Sequence, residues 1–403
     1  FQSMEETHMQ TRYRVVATSI AIALMLAGGH AQAQAPAAIS LTRLGDLGGM
    51  RDRTNQVSGV SADGNTFVGS YSSYTNPAEP GRAFSWSAQT GRQRLAAPSD
   101  ERSSRANAVS SDGRVVVGSL AQPGPYGNDA VSAVRWPGDG SVQPIAPPTA
   151  TRYFSDASVT NRDGSRMAGS YTTFDGHNAL FVRDSRSGFS RITTDEDFAA
   201  SAVHMNQPGD AVAGSVGNVG GVYGSRAFVW TVRSGVRLLP AISSAPALMD
   251  RAIGVSDDGQ TVVGNAGTGR SLPSPWGERE GTVAVRWLNG GNTIEQLGML
   301  DGDNYSYAEH ANADGSVVVG QSGNTERDTV RTFIWTQGVG MRSLPALLDA
   351  AGASRGGLRL DTTLAISPDG SLITGQEYLD DNYRPLFWQI RIAPSSLRSA
   401  TRK

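Results

Sequence analysis

Gly254-Val255-Ser256-Asp257-Asp258-Gly259, followed by Val262-Val263-Gly264, decides how this chain is read, because the same pattern returns along its whole length. It recurs as Gly59-Val60-Ser61-Ala62-Asp63-Gly64 with Phe67-Val68-Gly69, and as Ala108-Val109-Ser110-Ser111-Asp112-Gly113 with Val116-Val117-Gly118. A third copy is Val159-Thr160-Asn161-Arg162-Asp163-Gly164 with Met167-Ala168-Gly169. A degenerate fourth is His204-Met205-Asn206-Gln207-Pro208-Gly209 with Val212-Ala213-Gly214. The sixth and seventh are His310-Ala311-Asn312-Ala313-Asp314-Gly315 with Val318-Val319-Gly320, and Ala365-Ile366-Ser367-Pro368-Asp369-Gly370 with Ile373-Thr374-Gly375. Successive turn glycines stand about 50 residues apart, the spacing of propeller blades and kelch-like units.

The chemistry of the motif is that of a β-hairpin. A Ser or Asn two residues before the Asp can bond turn backbone, and Asp-Gly supplies residues that tolerate a left-handed backbone. The flanks are β-branched and alternate, as strands require. The second glycine, five residues on, predicts a close backbone approach or a bulge. Since one role explains Asp63, Asp112, Asp163, Asp258, Asp314 and Asp369 together, they are read as turn residues and not as catalysts.

After each hairpin comes an aromatic strand: Ala83-Phe84-Ser85-Trp86, Val134-Arg135-Trp136, Ala227-Phe228-Val229-Trp230, Val285-Arg286-Trp287, Thr332-Phe333-Ile334-Trp335 and Leu386-Phe387-Trp388. In the third repeat, Phe181-Val182-Arg183, Arg stands in the Trp position. A recurring aromatic at one repeat position is read as packing between units, since large aromatics dominate burial. A short fourth strand follows, as in Arg92-Gln93-Arg94-Leu95 and Gly340-Met341-Arg342-Ser343-Leu344.

A four-stranded unit cannot bury both faces alone, so the units must stack, and closing the stack into a ring removes exposed edges. The last repeat lacks a fourth strand after Ile392, while Ile39-Ser40-Leu41-Thr42-Arg43-Leu44 has no hairpin before it. The expectation is an all-β, seven-bladed β-propeller of four-stranded blades over residues 36–393, closed by that N-terminal strand, with a flexible tail over 394–403.

These marks resemble the HAF family of extracellular repeat proteins: Leu44-Gly45-Asp46-Leu47-Gly48-Gly49, the repeated Val-Ser-x-Asp-Gly-x-x-Val-Val-Gly and the Ala-Phe-x-Trp strand. The hairpin alone is also similar to repeats of TolB-like propellers. The resemblance implies an exported repeat protein and brings no catalytic residues. Some members of the family are autotransporter passengers, which would require a translocating barrel after the repeats.

Phe1-Gln2-Ser3 reads as the remnant of a cleaved tag. Residues 4–35 read as a signal peptide: Arg12 and Arg14, an apolar run from Val15 to Ala27, then Ala31-Gln32-Ala33 and Ala33-Gln34-Ala35 as cleavage sites. As a membrane anchor that run falls short of the roughly 20 residues a crossing needs. The mature protein is expected to be secreted or periplasmic, without membrane insertion after signal removal. The 35 basic and 37 acidic residues leave a net charge of -2, which gives no electrostatic ground for nucleic acid as a partner. There are no cysteines, so disulfides and thiolate metal sites are excluded.

The hairpins should share one face. Long segments on the other face, Tyr71 to Arg82, Ala121 to Ser132, Gly267 to Thr282 and Pro345 to Asp361, are where binding residues are expected. They and nearby loops carry Tyr74, Tyr126, Tyr223, Trp276, Tyr305, Tyr307, Tyr378 and Tyr383, aromatics suited to sugars or protein partners. Seven positions before each turn Asp, at the mouth of the channel, stand Gln56, Arg105, Asp156, Ser201, Arg251, Tyr307 and Thr362. This polar ring can take an anionic group such as a uronate, or it is a solvated rim. The candidate ligand residues are therefore Arg105, Asp156, Arg251, Tyr307, Tyr126 and Trp276. His204 and His310 hold equivalent positions, but two histidines without a carboxylate motif are thin grounds for a metal.

There is no HExxH, Walker loop or GxSxG elbow, and no cofactor is expected. Asp380-Asp381 is a carboxylate pair that sequence cannot place across a cleft. The expected function is that of an exported envelope propeller, binding or scaffolding, that recognises protein or carbohydrate on the long-loop face. The alternative is a polysaccharide lyase or glycoside hydrolase on the same scaffold.

Overall fold

Each Asp-Gly motif turns the first strand of its repeat back onto the second. In repeat one, Ser61 Oγ donates to Asp63 Oδ1 (2.6 Å) and accepts the Thr66 N–H (2.9 Å), while Asp63 Oδ1 accepts the Asn65 N–H (3.0 Å). The same bonds recur at Ser110–Asp112, Ser256–Asp258 and Ser367–Asp369. Repeat four survives the loss of its Asp because Asn206 accepts the Ala211 N–H (3.0 Å) and donates to Asp210 (2.7 Å). Gly64, with φ of 72°, takes the left-handed position the turn needs.

The structure, a computed structural model, describes residues 39–47, 53–73, 80–124, 129–145, 150–174, 176–192, 200–217, 224–244, 249–275, 277–378 and 385–397. The proposed signal peptide, Tyr74, Tyr126, Tyr223, Trp276, Asp380, Asp381 and Tyr383 lie outside the described residues. After β1 (Ile39–Gly45) comes repeat one, with β2 (Arg53–Val60), β3 (Phe67–Ser73), β4 (Arg82–Ser87) and β5 (Gly91–Arg94). Repeat two holds β6 (Ser103–Val109), β7 (Val116–Pro123), β8 (Asp129–Trp136) and β9 (Gln143–Pro144). Repeat three holds β10 (Ala150–Thr160), β11 (Arg166–Thr173), β12 (Asn178–Asp184) and β13 (Gly188–Ile192). Repeat four holds β14 (Ala200–Met205), β15 (Ala211–Gly217), β16 (Ser225–Thr231) and β17 (Gly235–Leu238). Repeat five holds β18 (Arg251–Val255), β19 (Val262–Leu272), β20 (Arg279–Leu288) and β21 (Thr293–Gly298). Repeat six holds β22 (Tyr305–Ala311), β23 (Val317–Asn324), β24 (Thr329–Thr336) and β25 (Gly340–Ser343), then α1 (Leu344–Ala350). Repeat seven holds β26 (Thr362–Ile366), β27 (Leu372–Tyr378) and β28 (Pro385–Ile392), followed by α2 (Pro394–Leu397).

The orphan strand β1 pairs antiparallel with β28, Ile39 opposite Ile392 and Leu41 opposite Ile390, so the first strand completes the last sheet. The first strands touch in a closed circuit, from β2 through β6, β10, β14, β18, β22 and β26 back to β2, which is the arrangement of a propeller. The blade count departs from the expectation of seven separate sheets. Five sheets are separate four-stranded blades, and β6 to β13 form one eight-stranded sheet. The cause lies in the early part of β10, which starts at Ala150 and runs parallel beside β8, pairing at Phe154 and Val131. Its register against β11 is irregular over Ala150 to Ser155.

Among the described residues, seven clusters of buried side chains each join one repeat to the next. One spans the seam, where Phe387 of the last repeat packs on Phe67 of the first at 6.0 Å between ring centres. Trp287 and Trp388 are fully buried, and the indole N–H groups of Trp136 and Trp287 reach back to carbonyls of the preceding repeat, Ala96 (2.6 Å) and Pro240 (2.8 Å). The aromatic strand therefore packs unit against unit. At the hairpin face, successive turns are stitched backbone to backbone, as in Asp257 N–H to Ala313 O (2.8 Å) and Ala313 N–H to Pro368 O (3.0 Å). Pro368 has no N–H to continue the chain of bonds across the seam. There the Gln389 amide donates to Gly64 O (2.6 Å).

Three segments differ from expectation. Pro345 to Asp361 is not all loop: Ser343 caps α1 by accepting the Ala346 N–H (3.3 Å), and Leu344 and Leu348, one turn apart, are buried. Gly267 to Thr282 is a strand-paired extension, with Leu272 opposite Arg279. The expected flexible tail begins with the turn of α2, whose Leu397 joins the cluster around Trp388.

Candidate functional site

Every first strand carries a bulge at one repeat position, between residues six and four before the turn Asp or its equivalent. The skipped residues are Ser58, Asn107, Ser158, Val203, Ile253, Glu309 and Leu364. A bulge re-aims side chains on its strand, and here it turns some of them onto the next repeat. Ser58 donates to Ala106 O (2.5 Å), Asn107 to Ala157 O (2.9 Å), and Glu309 accepts the Thr363 N–H (3.2 Å). Burial pushes the Glu309 carboxyl above its ordinary value, against the bonds from Thr363.

The repeated second glycine is what lets the strands lie this close. A Cβ on Gly118 would meet Arg105 O at 2.0 Å, and a Cβ on Gly69 would meet Gln56 O at 2.0 Å. At Gly169 the corresponding atom is Asp156 O at 1.9 Å. The three carbonyls belong to members of the polar ring, so the glycines fix where those residues stand.

On the face away from the hairpins, Gln56, Arg105 and Asp156 line one cavity of about 530 Å³ together with Tyr71, Ser119 and Phe154. Asp156 is half-buried, and both its oxygens accept from the Asn107 amide (2.8 and 2.9 Å). Burial raises its pKa, opposed by the Ser119 and Asn107 hydrogen bonds and by the charge of Arg105. Arg105 is exposed at the opening and Phe154 is 38% exposed. The cavity thus joins a cation, a carboxylate, several hydroxyls and aromatic faces.

The other half of the polar ring is not in this cavity. Arg251 and Ser201 are exposed, and Tyr307, 38% exposed, stacks at a tilt on Tyr305 (5.5 Å between centres). Tyr126 and Trp276 lie outside the described residues. His204 and His310 line a second, inner cavity of about 240 Å³. His204 Nδ1 accepts the Val255 N–H (3.2 Å), and His310 Nε2 lies 3.2 Å from Thr363 O. Burial lowers both to about 4, for His204 with added repulsion from His310. Among the described residues no group of three or more His, Cys, Asp or Glu is placed to hold a metal. The described lining of the larger cavity offers one carboxylate, Asp156, whereas paired-carboxyl glycoside chemistry needs two.

Sequence reasoning found Gln56, Arg105 and Asp156 by their shared repeat position, and missed Asn107, Tyr71, Ser119 and Phe154. A signal for Asn107 was present, since its position is polar in four repeats and apolar in three.

No family model matches the chain, and no curated protein matches it. Among solved structures it is similar to an oligogalacturonate lyase in complex with manganese, at 11% identity and a TM-score of 0.53 over 89% of this chain and 97% of that one. It is similar to a prolyl endopeptidase at 9% identity and a TM-score of 0.51, over 83% of this chain and 46% of the other. A putative TolB from Agrobacterium tumefaciens gives 14% identity and a TM-score of 0.39, over 65% of this chain and 88% of that one. The fold is a β-propeller. Likeness at this level of identity extends to the propeller scaffold and no further. Among the described residues no helix is long and apolar enough to cross a membrane.

Proposed function

We propose that this chain is an exported, non-catalytic envelope propeller of the HAF family that binds a saccharide bearing a carboxylate in the cavity of Gln56, Arg105 and Asp156. The observation that carries the reading is the meeting of those three side chains with Tyr71, Ser119 and Phe154 in one opening. A guanidinium takes a carboxylate in a planar, two-bonded grip. Hydroxyls and a carboxylate serve the donors and acceptors of sugar hydroxyls, and aromatic faces stack on the ring's C–H groups. The loop-face position supports binding, since such loops on a rigid scaffold are free to vary.

The reading counts the eight-stranded sheet as two blades, giving seven. It is supported by the single residue pair that joins β8 to β10, matched by Ser225 and Met249 between the separate sheets of repeats four and five, and by the inter-repeat clusters, which treat repeats two and three as they treat the others. Export rests on the charged, apolar and small-residue order of residues 4–35, and family membership on the repeat itself.

Glycan-array binding of purified Arg105→Ala and Arg251→Ala tests the site. Arg105→Ala should weaken uronate-containing glycans at least about tenfold, or roughly 1.4 kcal/mol, with an unchanged melting temperature. Arg251→Ala should bind as the wild type. Equal binding by wild type and Arg105→Ala overturns the assignment.

A further inference from the structure

Repeat five breaks its own pattern at a buried position. Eight residues before the turn Asp, repeats two, three and six carry Ser104, Ser155 and Ser306. Each of these hydroxyls accepts the N–H of an alanine in the preceding repeat, Ala83 (2.8 Å), Ala133 (2.9 Å) and Ala284 (3.0 Å). Repeat five carries Asp250 there, 1% exposed. Its Oδ1 accepts the Gly267 N–H (3.0 Å), while its Oδ2 is buried with no hydrogen-bond partner.

Two further unpartnered oxygens come to the same place. Thr282 stands directly opposite Gly267 in the β19–β20 pair, is 3% exposed, and its Oγ1 is buried without a partner. Glu280, two residues away on the same face of β20, accepts the N–H of Met249, the neighbour of Asp250, and its Oε1 is also buried and unpartnered. The register of β19 slips between Gly267 and Ser271, which opens the backbone beside these groups. Buried oxygens without partners are costly and uncommon in native folds. Burial raises the pKa of both carboxyls, and the charge of Asp250 raises Glu280 further, so the two sit close enough to repel. Arg226, whose charge opposes the rise at Asp250, donates to Leu239 O (3.1 Å).

We propose that Asp250, Glu280 and Thr282 bind a divalent cation of the oxygen-seeking class, with Ca²⁺ as the ion whose demands they meet. Ca²⁺ takes about six to eight oxygens in flexible geometry, so three side-chain oxygens leave room for water and backbone carbonyls. Two carboxylates with an arginine nearby make a modest charge, which sets the expected affinity in the range of extracellular modules, roughly 10⁻⁴ to 10⁻³ M. The ion would tie the entry of repeat five to the β19–β20 extension.

Calorimetric titration of the full chain with Ca²⁺, and melting in EDTA against about 10 mM Ca²⁺, test this. The wild type should show a saturable site and a higher melting temperature in Ca²⁺, reversed by EDTA. Asp250→Ser, which installs the residue found in repeats two, three and six, and Glu280→Gln should each weaken binding at least tenfold. The surface change Glu326→Gln should leave it intact. If Asp250→Ser does not fold, Glu280→Gln and Thr282→Val decide by the same titration. Absence of Ca²⁺ binding in the wild type overturns the proposal, as does binding retained in the site variants. An Asp250→Ser protein that melts higher than wild type with no response to Ca²⁺ in either would assign the two carboxyls to a shared proton and overturn it equally.

Discussion

Replacing Gly118 by alanine is the sharpest test of the backbone arrangement that places the binding residues. Gly118 does not use a left-handed backbone, so the cost is one of space. The new Cβ would lie 2.0 Å from Arg105 O and 3.0 Å from Ala106 Cα. Ordinary contact needs roughly 3.5 Å, so β6 and β7 must part by more than about 1 Å. β6 cannot yield freely, because it is packed against β2 on one side and β10 on the other. Overpacking of this kind costs about 3 kcal/mol, at the upper end of the usual range. The propeller runs from Ile39 to Leu397 among the described residues. Its unfolding entropy of roughly 0.75 kcal/mol per kelvin turns that loss into a fall of about 4 °C in melting temperature. Gly140→Ala is the control: that glycine has φ of 82° with open space around it, so alanine there costs about 1 kcal/mol of backbone strain alone. Differential scanning calorimetry of both variants, with glycan binding measured beside it, separates the effects. Gly118→Ala should also weaken binding, because the displaced carbonyl is that of Arg105. A Gly118→Ala protein that melts within 1 °C of the control, with binding intact, refutes the argument that these glycines set the position of the ring.

Two other outcomes follow from the interior. His204 and His310 titrate near 4 in the fold against an ordinary 6.5. The unfolded chain therefore binds more protons between those values, and stability falls as pH drops from about 6.5 to 4. The double change His204→Gln with His310→Gln should reduce the acid slope by up to about 2.7 kcal/mol per pH unit. It is read as the difference from wild type, because the raised carboxyls of Glu309 and Asp156 tilt the other way. Superimposable urea titrations across that window would contradict it. Trp136→Phe removes the indole bond to Ala96 O and should cost about 1 kcal/mol beyond lost area, seen as a lower urea midpoint with unchanged slope.

The turns were legible because their chemistry is local: Ser61, Asp63, Asn65 and Thr66 lie within six residues, and the Asp63 carboxylate is bonded by Ser61 and Asn65. The closing strand was legible because an unpaired segment at one end met a missing strand at the other. The joined sheet was not, since pairing of β10 with β8 depends on where Phe154 passes Val131, which no side-chain pattern announces. α1 was missed although its signals were present, a serine cap, an early proline and two leucines four apart. Length was taken there as the mark of a loop, and local capping outweighed it.

The candidate site shows a different limit. Sequence placed seven residues at one repeat position and treated them as a ring, which symmetry permits. Three of them share a cavity because Asn107 ties Asp156 to repeat two and because Phe154 stands beside Val131; a parallel pair of the second kind recurs at Ser225 and Met249, while the amide-to-carboxylate tie belongs to repeats two and three. The link that cost the fold its simple blade count therefore also builds one wall of the cavity. In a repeated scaffold the positions that agree report the turns and the core, and the departures carry the specific chemistry. Asp250 in place of serine is such a departure, and so is Asn107, whose amide reaches the Asp156 carboxylate besides the carbonyl of Ala157. The first is found by asking which hydrogen bond its siblings make that it does not, the second by asking which it makes beyond theirs.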